Sequence, residues 1–321
     1  MQLSSLVAAM VCVGLMVHGA GPALGQAYPN KPLRLVTVGA GGGSDLMARI
    51  IVRDLAPALG QPLVIENRAG GVIAIETVAK AAPDGYTILF YSSSVWVLPL
   101  MQPMPYDPVK DFSPITTAAS SPTVVVVHPA VAAKSIPELI ALAKARPGEL
   151  NYATGASGSA THLPGELFKS MAGVNIVRVP YKGTAPALND VIGGHVQLMF
   201  CTPEAASSHI RSGRVRALAV TSAQPSTLFP GLPTVAAAGG LPGYESTVSY
   251  HFFAPARTPV NIIKQLNREI ARVLDKPDVK ERFQSGGVEV ASSSPAQVTA
   301  LMKSEIARWS KVIKAANIRA D

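Results

Sequence analysis

The chain has 321 residues, of which 48% are hydrophobic and 15% charged, and its formal net charge is +8. This composition can bury a core and corresponds to about two domains, so it excludes a disordered chain. Two cysteines are too few for a disulfide framework or a four-thiolate zinc site, and dispersed basic residues with 6% aromatic residues argue against a nucleic-acid partner.

The first 27 residues have the pattern of a secretory signal peptide. They contain no Asp, Glu, Lys or Arg, and an apolar run at 3–17 is followed by small residues that offer two cleavage sites before Tyr28. The run is shorter than the ~18 apolar residues that a membrane-spanning helix needs. We therefore expect 1–27 to be an export signal. The alternative is a buried N-terminal helix.

The next part of the chain alternates short apolar runs with amphipathic stretches. The runs at 33–38, 63–66 and 87–91 are typical of strands, and the stretches at 45–59 and 73–82 are typical of helices. This β-α-β-α-β order predicts a parallel sheet that is covered by helices on both faces.

The same alternation returns after residue 120. It predicts strands at 123–127, 150–154, 176–179, 196–200 and 215–220 and helices at 136–145, 185–192, 203–211, 262–274 and 295–315. Residues 222–250 are rich in Pro, Gly and Ser and predict an irregular connection. Two α/β units of this kind predict two lobes with a ligand cleft between them.

Two loops rich in glycine and serine precede predicted helices and are candidate anion sites. The first is Gly-Ala-Gly-Gly-Gly-Ser at 39–44, and the second is Gly-Ala-Ser-Gly-Ser-Ala-Thr-His at 155–162. Glycine lets a ligand approach the backbone, and the first N–H groups of a helix have no intrahelical partner. One such loop per lobe could hold a carboxylate from both sides. The alternative for the first loop is a plain turn capped by Ser44 or Asp45.

The candidate ligand-binding residues come from these loops and from the ends of neighbouring strands. The loops contribute Gly41, Gly42, Gly43, Ser44, Asp45, Ser157, Ser159, Ala160, Thr161 and His162. The strand ends contribute Ser92, Tyr181, Lys182 and Cys201, and the alternative for Lys182 is a solvated surface lysine.

Catalysis finds little support in the sequence. Residues 155–159 resemble a nucleophile elbow but lack its final glycine, and Ser157 and His162 have no evident acid partner. The histidines show no metal-ligand spacing. We therefore expect no enzyme activity, no metal and no cofactor, and a Ser/His hydrolase remains the alternative from that class.

Six motifs spread along the chain carry a family resemblance. They are YPNKPLRLV at 28–36, GGGSD at 41–45, AKAAPDGYT at 79–87, DPVKDF at 107–112, HLPGELFK at 162–169 and VPYKG at 179–183. Together they resemble the Bug/TctC family of extracytoplasmic solute-binding proteins, which serve tripartite tricarboxylate transporters. The resemblance extends over nearly all of residues 28–321.

The resemblance implies an α/β, two-lobed periplasmic-binding-protein fold of type II topology with the ligand cleft between the lobes. Lobe 1 would comprise 28–125 and 251–321, and lobe 2 would comprise 126–250. The protein would act in the periplasm as a monomer. Amides and hydroxyls of the two loops would hold a small organic carboxylate for delivery to inner-membrane permease subunits. The alternative partner is a periplasmic signalling system that the receptor would inform about its ligand.

Two departures from the family pattern concern the ligand. Val38 stands where many members have a phenyl ring that walls the pocket, and Cys201 stands where many have Asp. If that Asp contacts the amino group in members that bind amino acids, its loss predicts a carboxylate ligand without an ammonium group. The default interpretation of Cys201 itself is a buried thiol.

Overall fold

The structure is a computed structural model that describes residues 28–38, 43–68, 71–155, 158–181, 183–315 and 317–318. The predicted signal peptide lies outside the described residues. The described strands are β1 (Leu33–Val38), β2 (Leu63–Arg68), β3 (Thr87–Ser92), β4 (Phe112–Pro122), β5 (Val124–Val127), β6 (Asn151–Thr154), β7 (Val177–Pro180), β8 (Leu198–Cys201), β9 (Arg216–Val220), β10 (Thr247–Pro255) and β11 (Glu289–Val290).

Helices connect most of these strands. The described helices are α1 (Gly43–Leu59), α2 (Gly71–Ala79), α3 (Ser94–Val97), α4 (Ile136–Ala145), α5 (Leu163–Ala172), α6 (Thr184–Ile192), α7 (Pro203–Arg211), α8 (Val235–Gly239), α9 (Val260–Leu274), α10 (Pro277–Ser285) and α11 (Pro295–Ala315). None of the helices in this described part is long and apolar enough to cross a membrane.

The strands form two mixed sheets. The first has the order β11-β4-β10-β3-β1-β2, and the second has the order β7-β6-β8-β5-β9. The predicted parallel pairing is correct for β2-β1-β3, but β10 runs antiparallel to both β3 and β4. In the second sheet β5 is likewise antiparallel to β8 and β9. The parallel sheet predicted from the β-α-β-α-β order is thus extended by antiparallel strands from distant parts of the chain, which the order of neighbouring elements does not indicate.

Strand β4 has no apolar run, which is why its sequence did not indicate a strand. Its residues Thr116 and Thr117 are buried. The Thr116 hydroxyl donates to the Ser293 carbonyl at 2.8 Å, and the Ser293 hydroxyl donates to Thr117 Oγ1 at 2.9 Å. A buried hydroxyl costs little when it is hydrogen-bonded, so these polar residues are tolerated inside the sheet.

The chain passes twice between the sheets. It leaves the first sheet after Pro122, and it returns between Val220 and Thr247. The lobe boundaries that the resemblance implies, at residues 125 and 250, therefore lie inside β5 and β10. The 222–250 segment, predicted to be irregular, also contains α8.

The two crossings lie side by side at Thr221. The Thr123 amide donates to Thr221 Oγ1 at 2.8 Å, and that hydroxyl donates to the Ser246 carbonyl at 2.6 Å. Both threonines and Ser246 are buried. Hinges between lobes consist of a few loop or element-terminal residues of this kind.

The C-terminal helix α11 joins the two halves of the molecule on one side. It packs against β4 and α3 and also against α5, which follows a strand of the second sheet. Trp96 Nε1 of α3 donates to Glu305 Oε2 of α11 at 3.0 Å. One apolar cluster consequently includes Val36 of the first sheet, Trp309 of α11 and Phe168 of α5.

Candidate functional site: a hydroxyl-lined cavity between the sheets

A cavity of about 690 Å³ lies between the two sheets. The predicted arrangement, with the ligand cleft between two α/β units, is therefore present. Its lining consists of Val38, Ser44, Ser92, Ser93, Ser94, Val97, Gly158, Ser159, Ala160, Leu163, Pro164, Ser246, Thr247, Val248, Tyr250 and Trp309.

The polar part of this lining is made of neutral hydroxyl groups. They belong to Ser44, Ser92, Ser93, Ser94, Ser159, Ser246, Thr247 and Tyr250. None of the described lining residues has a charged side chain. Ser44 lies in the first turn of α1, where backbone N–H groups have no intrahelical partner. An anion here would be held by neutral donors and by the positive end of the helix dipole.

Asp45 belongs to the scaffold of the first loop. Its carboxylate is 2% exposed and accepts hydrogen bonds from Asn67 Nδ2 at 2.8 Å and from Arg49 Nε at 3.1 Å. The same Asn67 amide group donates to the Val38 carbonyl at 2.8 Å. Asp45 is not among the described residues that line the cavity, whereas its neighbour Ser44 is.

Thr161 and His162 have the same supporting role in the second loop. Thr161 Oγ1 accepts from the Gly155 amide at 2.7 Å, and His162 Nδ1 accepts from the Gly158 amide at 3.0 Å. Both side chains are 2% exposed and neither lines the cavity, whereas Ser159 and Ala160 between these contacts do. The hydrogen bonds therefore fix the backbone that presents these two residues.

The second ring nitrogen of His162 faces a buried acid. Because Nδ1 is an acceptor, the ring proton lies on Nε2, which is 3.9 Å from Glu166 Oε1. Glu166 also accepts from the Tyr152 hydroxyl and from Lys169 Nζ at 2.9 Å. Burial and the Glu166 carboxylate raise the pKa of Tyr152 far above its usual range. The imidazole is thus part of a packed network below the loop.

Tyr181 and Cys201 lie away from the cavity. The Tyr181 hydroxyl donates to Asp190 Oδ2 at 2.6 Å, and burial together with that bond raises the pKa of Tyr181 to about 12. Cys201 is fully buried in β8, as expected for a structural thiol. Burial and the nearby Glu204 raise its pKa to about 12, so the thiol is protonated and unreactive.

Ser92 and Gly43 are the other predicted site residues that the structure describes. Ser92 lines the cavity, and its hydroxyl is 2.6 Å from that of Ser94. Gly43 is the first residue of α1. Gly41, Gly42, Ser157 and Lys182 lie outside the described residues. The described residues contain no group of three His, Cys, Asp or Glu side chains that could hold a metal ion.

Several lining residues were missed by the sequence analysis. Ser246 ends the second crossing, Thr247, Val248 and Tyr250 lie in β10, and Trp309 lies on α11, nearly 150 residues after the second loop. No local motif marks any of them. The only sequence feature that could have indicated one of them is the aromatic side chain of Trp309 on the amphipathic helix predicted at 295–315. Val38 does line the cavity, at the position where the family resemblance implies a wall residue.

Comparisons with known proteins agree with this architecture. The sequence model of the TctC group, described as tripartite tricarboxylate transporter family receptor, matches residues 47–318. BugT of Bordetella pertussis is 38% identical over 314 residues, which cover 95% of this chain and 96% of BugT.

Two solved structures carry ligands named with them. R. palustris Rpa4515 with adipate is 38% identical, has a TM-score of 0.77 and is matched over 91% of this chain and 99% of that one. MatC from Rhodopseudomonas palustris with bound malate is 30% identical, has a TM-score of 0.72 and is matched over 89% and 100%.

Proposed function

The chain belongs to the tripartite tricarboxylate transporter family of receptors, and on that premise we propose that it binds a small organic carboxylate between its lobes. The receptor then delivers this ligand to inner-membrane permease subunits. The observation that carries the proposal is the interlobe cavity, whose lining combines hydroxyls on strands of the first sheet with the Ser159 hydroxyl of the loop before α5 and with Ser44 in the first turn of α1. No described lining side chain is charged.

The proposed binding mode uses both loops. Ser44 at the start of α1 and Ser159 before α5 contribute hydroxyls from the two halves of the molecule. A carboxylate accepts hydrogen bonds from such donors and is stabilised by the free N–H groups at the start of a helix. The adipate and malate in the two similar structures are carboxylates of this class.

The lobes close around the ligand at the paired crossings. We assign residues 28–122 and 247–318 to one lobe and 124–220 to the other, because these ranges contain the strands of one sheet each. The hydrogen bonds of Thr221 to both crossings keep the axis of the motion in one place. Periplasmic location agrees with the signal-like pattern of the first 27 residues.

Binding without chemical conversion fits the same geometry. A Ser/His hydrolase needs an imidazole nitrogen that accepts a proton from the nucleophile. In this structure His162 Nδ1 already accepts from the Gly158 amide, and Nε2 faces Glu166. The proposal therefore assigns His162 to support of the loop, and it predicts no turnover of ester substrates.

Thermal unfolding tests the proposal. The full chain is expressed, purified from the periplasm, unfolded and refolded to remove cargo, and then heated with acetate, malate, adipate, hexanoate or benzoate. A ligand at 100 times its Kd adds about 2.7 kcal/mol to the free energy of unfolding. For a chain of this size we expect Tm to rise by about 5 °C or more with at least one acid. No shift with any acid overturns the proposal.

Two serine variants locate the binding position. Ser44→Ala and Ser159→Ala each remove one hydroxyl donor from the cavity. We expect each to weaken the tightest-binding acid about five- to tenfold, which corresponds to about 1 kcal/mol. Ser304→Ala on the exposed face of α11 is the control and leaves the affinity unchanged. Equal affinities in all three variants would place the ligand elsewhere.

A further inference from the structure

One wall of the cavity is apolar and is assembled from both lobes. Val97 ends α3, Leu163 begins α5, and Trp309 lies on α11. Helix α11 packs against both α3 and α5, and all three side chains belong to the same apolar cluster. The cavity thus combines a hydroxyl-rich region at the helix starts with apolar lining from three helices.

Contacts outside the cavity hold this wall in place. Trp309 is 3% exposed, and the Arg308 guanidinium lies 5.3 Å from the centre of its ring. Arg308 is itself fixed, with Nη2 at 2.6 Å from Glu305 Oε1 and Nη1 at 3.5 Å from Glu245 Oε2. The carbonyl of Pro164, beside Leu163, accepts from the Tyr244 hydroxyl at 2.9 Å. The apolar surface is therefore preformed and does not require the ligand to order it.

A charged ligand group would find no partner at this wall. None of the described residues that line the cavity is Lys, Arg or His. A second carboxylate pressed against Val97, Leu163 and Trp309 would meet no cation and at most one donor, the indole N–H of Trp309, which does not replace the hydration of a charged group. An aromatic ring or an alkyl chain in the same place would instead leave water for an apolar surface.

From this arrangement we infer that the ligand is a monocarboxylic acid with an apolar body, and that Trp309 determines the preference for that body. The inference rests on the proposed function and narrows its ligand class. The carboxylate lies at the helix starts beside Ser44 and Ser159, and the aromatic or alkyl body contacts Trp309. The chain would then differ from its relatives with adipate and malate, which are dicarboxylates.

Calorimetry with matched acids tests the ligand class. Hexanoate and adipate share a six-carbon chain and differ in whether the far end is a methyl group or a carboxylate, and benzoate supplies an aromatic body. We expect hexanoate and benzoate to bind the refolded protein at least ten times more tightly than adipate. Trp309→Ala should weaken benzoate at least tenfold and adipate less than threefold, whereas Trp309→Phe should keep benzoate within threefold.

Tryptophan fluorescence gives a second readout that does not depend on the stability of the alanine variant. The chain has two tryptophans, and Trp96 is fully buried and does not line the cavity. We expect benzoate to change the fluorescence of the unmodified protein and of Trp96→Phe, and to leave that of Trp309→Phe unchanged. A signal that survives in Trp309→Phe overturns the contact with Trp309.

The failures of the two proposals are distinguishable. Adipate binding as tightly as hexanoate and benzoate, or more tightly, would overturn the inferred ligand class and leave the receptor proposal standing. Absence of binding by every acid in the panel would overturn both. Equal loss of benzoate and adipate affinity in Trp309→Ala would show that the ring supports the cavity and does not select the ligand.

Discussion

The two loops that frame the cavity are stabilised in different ways. The start of α1 is held by Asn67, a residue of a neighbouring strand that donates to both Asp45 and the Val38 carbonyl. The loop before α5 is held from within, because Thr161 and His162 accept hydrogen bonds from amides four to six residues earlier. One loop depends on the register of β1 against β2, and the other depends mainly on its own sequence.

Both loops nevertheless follow one design. In each, the most polar side chain is buried in the scaffold and a neighbouring hydroxyl faces the cavity. Asp45 lies behind Ser44, and His162 lies below Ser159. A residue type that resembles a catalytic or binding group can thus serve to fix the backbone that binds.

Removal of Asn67 should have the largest effect on stability. Asn67→Ala deletes the two hydrogen bonds that Nδ2 donates and the longer one, 3.4 Å, that Oδ1 accepts from Arg49, and it leaves the buried Asp45 carboxylate with one fewer donor. We expect the free energy of unfolding to fall by about 2–4 kcal/mol, since bonds to a buried charged group are costly to lose. Urea unfolding measures this effect. The matched control is Asn189→Ala at an exposed position, which should change the free energy of unfolding by no more than about 0.5 kcal/mol.

Loss of stability in Asn67→Ala should be accompanied by weaker ligand binding, because Val38 and Ser44 both line the cavity. If the variant unfolds like the control, the first loop is held by its own residues and the contrast between the loops disappears.

Replacement of His162 should have a smaller effect. His162→Ala removes the acceptor for the Gly158 amide, but the bond between Thr161 and the Gly155 amide remains. We expect a loss of about 1–3 kcal/mol in urea unfolding, from one unpaired amide and a small cavity. His209→Ala on α7 is the control. A loss larger than that of Asn67→Ala would reverse the proposed order of the two loops.

The smallest expected effect is the pH dependence of stability that the buried His251 causes. This histidine lies in β10, next to the cavity serines of the first lobe. His251 is fully buried between Thr117 Oγ1 and Ser249 Oγ, and the Ser249 carbonyl accepts from the Ser93 amide. Burial lowers the pKa of His251 to about 3. The unfolded chain, with a histidine pKa near 6.5, therefore binds a proton that the folded protein does not bind.

Stability should consequently fall as the pH decreases below about 6.5. Between pH 6.5 and 5.5, protonation of His251 in the unfolded chain should lower the free energy of unfolding by about 1 kcal/mol. His251→Gln should therefore reduce the slope of unfolding free energy against pH by about 1 kcal/mol per pH unit in this range. His209→Gln provides the comparison. Identical slopes in the two variants would mean that the buried imidazole becomes protonated in the folded protein.

The sequence by itself determined much of the local structure. Periodicity located β1, β3 and most helices, because burial of one face repeats at the period of the element. Glycine and serine residues before a helix indicated both loops. The tight turn and the free N–H groups at the start of a helix are local features, so a short stretch of sequence is enough to reveal them. The six motifs then indicated the family that the comparisons show.

The tertiary structure decided which residues face the cavity. Strand β4 and its place in the sheet, the paired crossings at Thr221, and Trp309 in the wall all depend on contacts between residues far apart in the chain. The roles of Asp45 and His162 were likewise set by where their partners lie. A side chain with several possible hydrogen-bond partners adopts the arrangement that leaves the fewest buried groups unpaired, and only the packed molecule fixes which partners are within reach.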